Sequence, residues 1–155
     1  MTPNIAVIDT MFSRFDMASV AIAELQRKGG VNIIRRTVPG IKDLAIECKL
    51  ALDGGADIAL ALGWVGGAEI DKQCSHEASI GIQNAKLATN KHILEAFVFE
   101  FEGKDEADLL SIATDRARKH AENAYILVTD PKALTVNAGR GIRQGRNDVG
   151  PLKKA

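Results

Sequence analysis

Short runs of aliphatic and β-branched residues alternate along this chain with longer stretches in which apolar side chains return every three or four positions. The first kind covers residues 5–8, 31–36, 57–62 and 93–99 and predicts four strands. The second kind covers residues 16–28, 41–52 and 75–90, and most regularly 106–128. In that last stretch Leu109, Ile112, Ala113, Ala117, Ala121, Ala124 and Val128 form the inward stripe of a long helix. The predicted order is βαβαβαβα.

Strands that alternate with helices argue for a parallel sheet, because parallel neighbours need crossovers and right-handed crossovers lay helices on both faces. The unbroken apolar run Ile58-Ala59-Leu60-Ala61-Leu62 fits a strand buried on both sides. The pattern predicts one α/β domain over residues 1–155, a flavodoxin-like three-layer αβα arrangement around a four-stranded parallel sheet. The pairs Gly29-Gly30 and Gly54-Gly55 follow helical stretches and read as turns that end them. From about residue 131 the chain changes character, and residues 139–146 are Gly-rich and basic. That tail reads equally as a loosely ordered terminus or as a contact segment.

Composition removes several classes of function. Twenty basic residues balance twenty acidic ones, so no surplus of charge exists to neutralise phosphates, and nucleic acid is not an expected partner. No apolar run approaches the ~20 residues of a membrane span, and Asp9 and Arg14 interrupt the place of a signal-peptide core. Cys48 and Cys74 are too few for a disulfide framework and are not spaced as a metal pair. A soluble, cytoplasmic protein is the expectation.

Ligands of open parallel sheets gather beyond the carboxyl ends of the strands. Three segments lie there: residues 9–16, with Thr10, Phe12 and Phe15; residues 37–43, with Pro39-Gly40-Ile41-Lys42-Asp43; and residues 63–77, from Gly63 and Trp64 through Asp71, Lys72, Cys74, His76 and Glu77. None carries a glycine-rich phosphate or dinucleotide fingerprint. Phe12 offers a face for a flat heterocycle, and backbone N–H groups near Ile41–Asp43 suit carbonyl or polyol oxygens. His76, expected at or near a helix N-terminus, is a candidate acid or base, although a lone histidine is more often structural. His92 and His120 fall in other elements, so no metal spacing emerges. The acidic residues 100–106 read as a solvated loop, and Phe97, Phe99 and Phe101 as one face of the strand end.

Several strings together resemble the archaeal-type riboflavin synthases: Asp9-Thr10-x-Phe12-x-Arg14, Thr37-Val38-Pro39-Gly40-Ile41-Lys42-Asp43, Lys72-x-Cys74-x-His76-Glu77, Thr89-Asn90-x-His92 and Gly141-x-Arg143-x-Gly145. The resemblance covers nearly the whole chain. That family shares its sheet with the lumazine synthases. It implies a transferase in which two 6,7-dimethyl-8-ribityllumazine molecules dismutate to riboflavin and 5-amino-6-ribitylaminouracil. It further implies a homopentamer with sites at subunit interfaces and no organic cofactor, and it allows a role for Mg²⁺ whose ligands the sequence does not name. On this resemblance Thr10, Phe12, Pro39, Gly40, Ile41, Lys42, Asp43 and Gly63 bind substrate, and His76 transfers protons with Glu77 and Lys72 as its electrostatic neighbours.

Residues 67–76 look like a longer loop than the compact Gly-x-Thr-x-His of lumazine synthases, whose phosphate motif is absent here. Trp64 and Gly66 stand where Met and Pro are expected. Lumazine synthase and a non-catalytic flavin- or lumazine-binding protein are the alternatives.

Overall fold

The computed structural model describes residues 1–154. Four parallel strands, β1 (Asn4–Thr10), β2 (Asn32–Val38), β3 (Ile58–Val65) and β4 (Ile93–Phe99), lie in the order β2-β1-β3-β4. The helices are α1 (Met17–Lys28), α2 (Leu44–Asp53), α3 (Glu69–Thr89), α4 (Glu106–Thr129) and the short α5 (Lys132–Asn137). No helix among the described residues is long and apolar enough to cross a membrane.

The two-residue period of the strands divides the core in two. Ile5, Val7, Leu60, Leu62, Trp64 and Val98 face α1 and α4, whereas Ala6, Ile8, Ala59, Ala61, Val65 and Phe97 face α2 and α3. The alternation of strands and helices therefore gives the three layers it predicts. The chain leaves β1 for β2 on one side and returns to β3 on the other, which puts the reversal of strand order between β1 and β3. The carboxyl ends of those two strands are where a ligand crevice is expected.

Local chemistry sets most boundaries. Asp16 caps α1 by accepting the Ser19 N–H at 3.1 Å, and Asp105 caps α4 by accepting the Asp108 N–H at 2.8 Å. Gly29 ends α1 at φ 70°, its N–H returning to the Leu25 carbonyl. Residues 41–52 are not one helix: Ile41–Asp43 form a 3-10 turn before α2 begins.

Three strands run past the carboxyl ends predicted for them, β3 by the most. Gly63, Trp64 and Val65 belong to β3, because the Phe97 ring directly across the ladder fills the space that glycine leaves. α3 begins at Glu69, six residues before the predicted start, with the Asp71 carboxylate accepting the Ala68 N–H at 3.0 Å. His76 is thus well inside α3, not near its N-terminus, and most of the expected long loop at residues 67–76 is helix.

The tail is docked on α4. Lys119 Nζ donates to the Arg143 and Arg146 carbonyls at 2.7 and 3.3 Å, and the Gly145 N–H donates to Asp115 at 2.9 Å. Gly145 has φ 88°, and a Cβ there would stand 2.5 Å from the Arg116 guanidinium. Arg116 donates in turn to both oxygens of Glu102 and to the Phe97 carbonyl at 2.8 Å. Burial opposes ionisation of Glu102, but the hydrogen bonds from Arg116 and from the Phe99 N–H outweigh it and hold this carboxyl below its ordinary range. The C-terminal segment thereby braces the end of β4.

Candidate active site

The loop after β1 continues its partnership with β2 past the end of the ladder. The Met11 N–H donates to the Val38 carbonyl at 2.8 Å and the Phe12 N–H to the Pro39 carbonyl at 3.3 Å. These bonds place Phe12 beside the Pro39-Gly40 turn, leaving the residue 59% exposed although it is large and apolar. Exposed aromatic surface at a strand end suits a flat partner.

Between this loop, the Ile41–Asp43 turn, the end of β3 and the first turns of α3 lies a cavity of about 430 Å³. That volume is in the range of small-molecule sites. Phe12, Pro39, Gly40, Ile41, Lys42 and Asp43 line it, six residues that the sequence assigns to substrate binding. Trp64, Val65, Gly66, Asp71 and Cys74 complete the wall. They fall in the strand-end segments; Trp64 and Gly66 stand out in the sequence as departures at the rim, whereas Val65, Asp71 and Cys74 are not assigned to substrate binding there.

Gly63 is not part of the lining. A Cβ on Gly63 would stand 2.5 Å from two carbons of the Phe97 ring and 3.1 Å from Ile41 Cγ2. Its contribution is to let Phe97 pack beneath the cavity. Thr10 is also outside it, 4% exposed, with a hydroxyl that has no protein partner. It borders a neighbouring polar cavity of about 280 Å³ beside Asp9, Arg35 and Thr37. Asp9, itself buried, accepts from Thr37 Oγ1 at 2.5 Å and Arg35 Nη2 at 2.9 Å, which fastens β1 to β2 at this end.

The proton-transfer candidates sit on the outer side of α3. His76 is exposed and does not line this cavity. Glu77 pairs with Lys42 at 2.5 Å, and Lys72 pairs with Glu69 at 2.7 Å while its ammonium lies 5.2 Å from the Phe101 ring centroid. The hydrogen bond from Lys42, followed by that from Gln73, keeps the Glu77 carboxyl below its ordinary value; the same pairing raises Lys42. This bridge ties the cavity-lining turn to α3.

Cys48 is fully buried, which pushes its thiol up to about 12 and leaves it inert; Cys74 is half-buried at the cavity. Burial also lowers His120, whose Nδ1 lies 2.8 Å from the Arg116 carbonyl, far along α4. A larger space of about 720 Å³ runs beside β4 and the tail, bordered by Glu95, His120, Leu127, Leu134 and Ile142. It is away from the strand carboxyl ends and contains none of the candidate site residues. Among the described residues no three His, Cys, Asp or Glu side chains are grouped to hold a metal ion.

The family described as 6,7-dimethyl-8-ribityllumazine synthase matches residues 2–131. A protein named riboflavin synthase from Methanothermobacter marburgensis is 49% identical over 151 residues, covering 96% of this chain and 99% of the relative. Its namesake from Archaeoglobus fulgidus is 44% identical over 152 residues, covering 97% and 99%. A protein named 6,7-dimethyl-8-ribityllumazine synthase from Clavibacter sepedonicus is 34% identical over 110 residues, covering 68% of this chain and 69% of the relative.

Proposed function

The chain belongs to the 6,7-dimethyl-8-ribityllumazine synthase family, and from that membership we propose that it is a riboflavin synthase, a transferase acting on two molecules of 6,7-dimethyl-8-ribityllumazine. One observation carries the choice within the family. The match to the family as a whole ends at residue 131, whereas similarity to the riboflavin synthases covers 96–97% of the chain and therefore most of the docked tail. The lumazine synthase relative covers only 68% of the chain. Lumazine synthase is the second reading, resting on the family's description.

One lumazine passes a four-carbon unit to the other, giving riboflavin and 5-amino-6-ribitylaminouracil. The exchange is balanced in electrons and needs no redox cofactor. The C7 methyl of the substrate is acidic because its carbanion is delocalised into the heterocycle. Orientation and proton transfer are therefore the main tasks left to the protein. Phe12 stacks on a lumazine ring, and the Gly40–Asp43 segment holds ribityl or pyrimidine oxygens. The Lys42–Glu77 bridge keeps that segment against α3. A cavity that fixes two rings against each other replaces a bimolecular encounter with a bound geometry.

His76 is proposed to transfer protons from the exposed side of α3, at a site shared between subunits. Changing His76→Ala is then expected to lower kcat about tenfold or more with KM little altered. Full turnover in that variant would remove His76 from the mechanism. A homopentamer in the cytoplasm is part of the same proposal. The apolar side chains Ile46 and Leu50 on α2, and Ile80 and Leu87 on α3, are exposed in the single subunit and supply surface for such an assembly. The two catalytic readings separate by substrate: a riboflavin synthase consumes lumazine offered alone, and a lumazine synthase instead consumes the aminopyrimidine together with a four-carbon sugar phosphate.

A further inference from the structure

The acidic run after β4 is not the solvated loop its composition suggests. Glu100 lies in a 3-10 turn over Glu100–Glu102, with its carboxylate directed at the end of β3. Its Oε1 accepts the indole N–H of Trp64 at 3.0 Å and stands 3.4 Å from Arg14 Nη1, while Arg14 Nη2 donates to Glu106 at 2.7 Å. Three strand ends meet in this cluster: the loop after β1 through Arg14, β3 through Trp64, and the turn after β4 through Glu100.

Trp64 is only 3% exposed, so its N–H has no access to water and depends on this acceptor. The indole packs among the core residues that face α1 and α4, and the bond satisfies its one polar atom. The residue lines the 430 Å³ cavity and also a second cavity of about 200 Å³, bordered by Arg14, Phe15, Glu106, Leu109 and Leu110. Losing that acceptor leaves a buried donor unpaired, which drives the indole out of the one orientation it keeps here. The same carboxylate lies 3.4 Å from Arg14 Nη1, two residues beyond Phe12.

We propose that Glu100 is a positioning residue for the dismutation: it fixes Trp64, part of the wall of the substrate cavity, through the indole N–H. This rests on the reading of the cavity as the lumazine site. Two flat heterocycles brought into reactive register need a slot of constant width, and a wall whose buried N–H has lost its acceptor shifts to find another. Glu100 acts through Trp64 and touches no reacting atom.

The test uses the full chain and compares Glu100→Ala, Glu100→Gln, Trp64→Phe and the double variant Glu100→Ala/Trp64→Phe. Glu100→Ala is expected to raise the KM for lumazine about tenfold, the scale of one hydrogen bond to a charged group, with a smaller change in kcat. Glu100→Gln keeps an acceptor oxygen for the indole and is expected to recover most of the loss. In the Trp64→Phe background, Glu100→Ala is expected to change KM less than about twofold, because the group it positions is gone.

Trp64 is the chain's single tryptophan, so its emission reads the same event without turnover. Glu100→Ala is expected to shift that emission to the red and to weaken its quenching by added riboflavin. Unchanged KM and emission in Glu100→Ala would overturn the proposal. So would equal impairment of Glu100→Gln and Glu100→Ala, or additivity with Trp64→Phe. Should Glu100→Ala not fold, Glu100→Gln and Trp64→Phe decide: a Glu100→Gln protein with the parent's emission supports the proposal, and a Trp64→Phe protein with the parent's KM overturns it. A parent protein that leaves lumazine untouched would instead sink the functional reading itself.

Discussion

Phe12→Ala is expected to lower kcat/KM for 6,7-dimethyl-8-ribityllumazine by about 10²-fold, the upper range for removing an aromatic face on which a heterocycle stacks. Phe12 lines the cavity and is more than half exposed, so little of the protein's own packing depends on it. Thermal stability should therefore stay within about 2 °C of the parent. Phe12→Leu, which keeps apolar bulk without a π face, should recover only a minor part of the activity. Steady-state kinetics and a thermal melt on the same preparations check both halves. Wild-type kcat/KM in Phe12→Ala would separate the cavity from the chemistry.

The second large effect is on the fold beneath the site. Gly63→Ala is expected to destabilise the protein by about 2 kcal/mol, lowering Tm by roughly 6 °C, because its new Cβ collides with a buried ring. Gly63 is the cross-strand partner of Phe97, and the added carbon would lie 2.5 Å from that ring. It would also press on Ile41, a cavity-lining residue, so activity should fall beyond what the loss of folded protein explains. The cost should nearly vanish in a Phe97→Ala background, where the collision partner is absent. Denaturant unfolding of the four proteins of that cycle measures the coupling. An equal cost of Gly63→Ala with and without Phe97 would show that the clash is not its cause.

These two residues also show how much the sequence discloses. Period and alternation are local properties, and they suffice for β4 over Ile93–Phe99, for the long helix α4 and for the layering of the sheet. The end of β3 is not locally legible: glycine at position 63 suggests a break, and only Phe97, on the next strand, makes it strand. The start of α3 is hidden for a related reason. Ala68 occupies the cap position without a capping side chain, and the bond that stands in for one comes from Asp71 inside the helix.

The site divides in the same way. Phe12 and the Pro39–Asp43 segment follow two strand ends directly, and topology alone brings them together. Trp64 and Cys74 border the same cavity only because β3 runs longer and α3 starts earlier than their composition suggests. Glu100 is further from view, since its partners Trp64 and Arg14 lie 36 and 86 residues away in the chain. The tail was open to two readings on composition. Its contacts with Asp115 and Lys119 depend on which face of α4 the sheet leaves uncovered, a tertiary property.

The central claim is that this chain passes a four-carbon unit from one lumazine to another. Its most direct test incubates the purified protein with 6,7-dimethyl-8-ribityllumazine as the sole substrate and follows the lumazine, riboflavin and the aminopyrimidine by chromatography. The account predicts riboflavin and 5-amino-6-ribitylaminouracil in equal amounts, with two lumazines consumed for each riboflavin formed. Lumazine left unconsumed, while the aminopyrimidine and a four-carbon sugar phosphate are converted to lumazine by the same preparation, would contradict it.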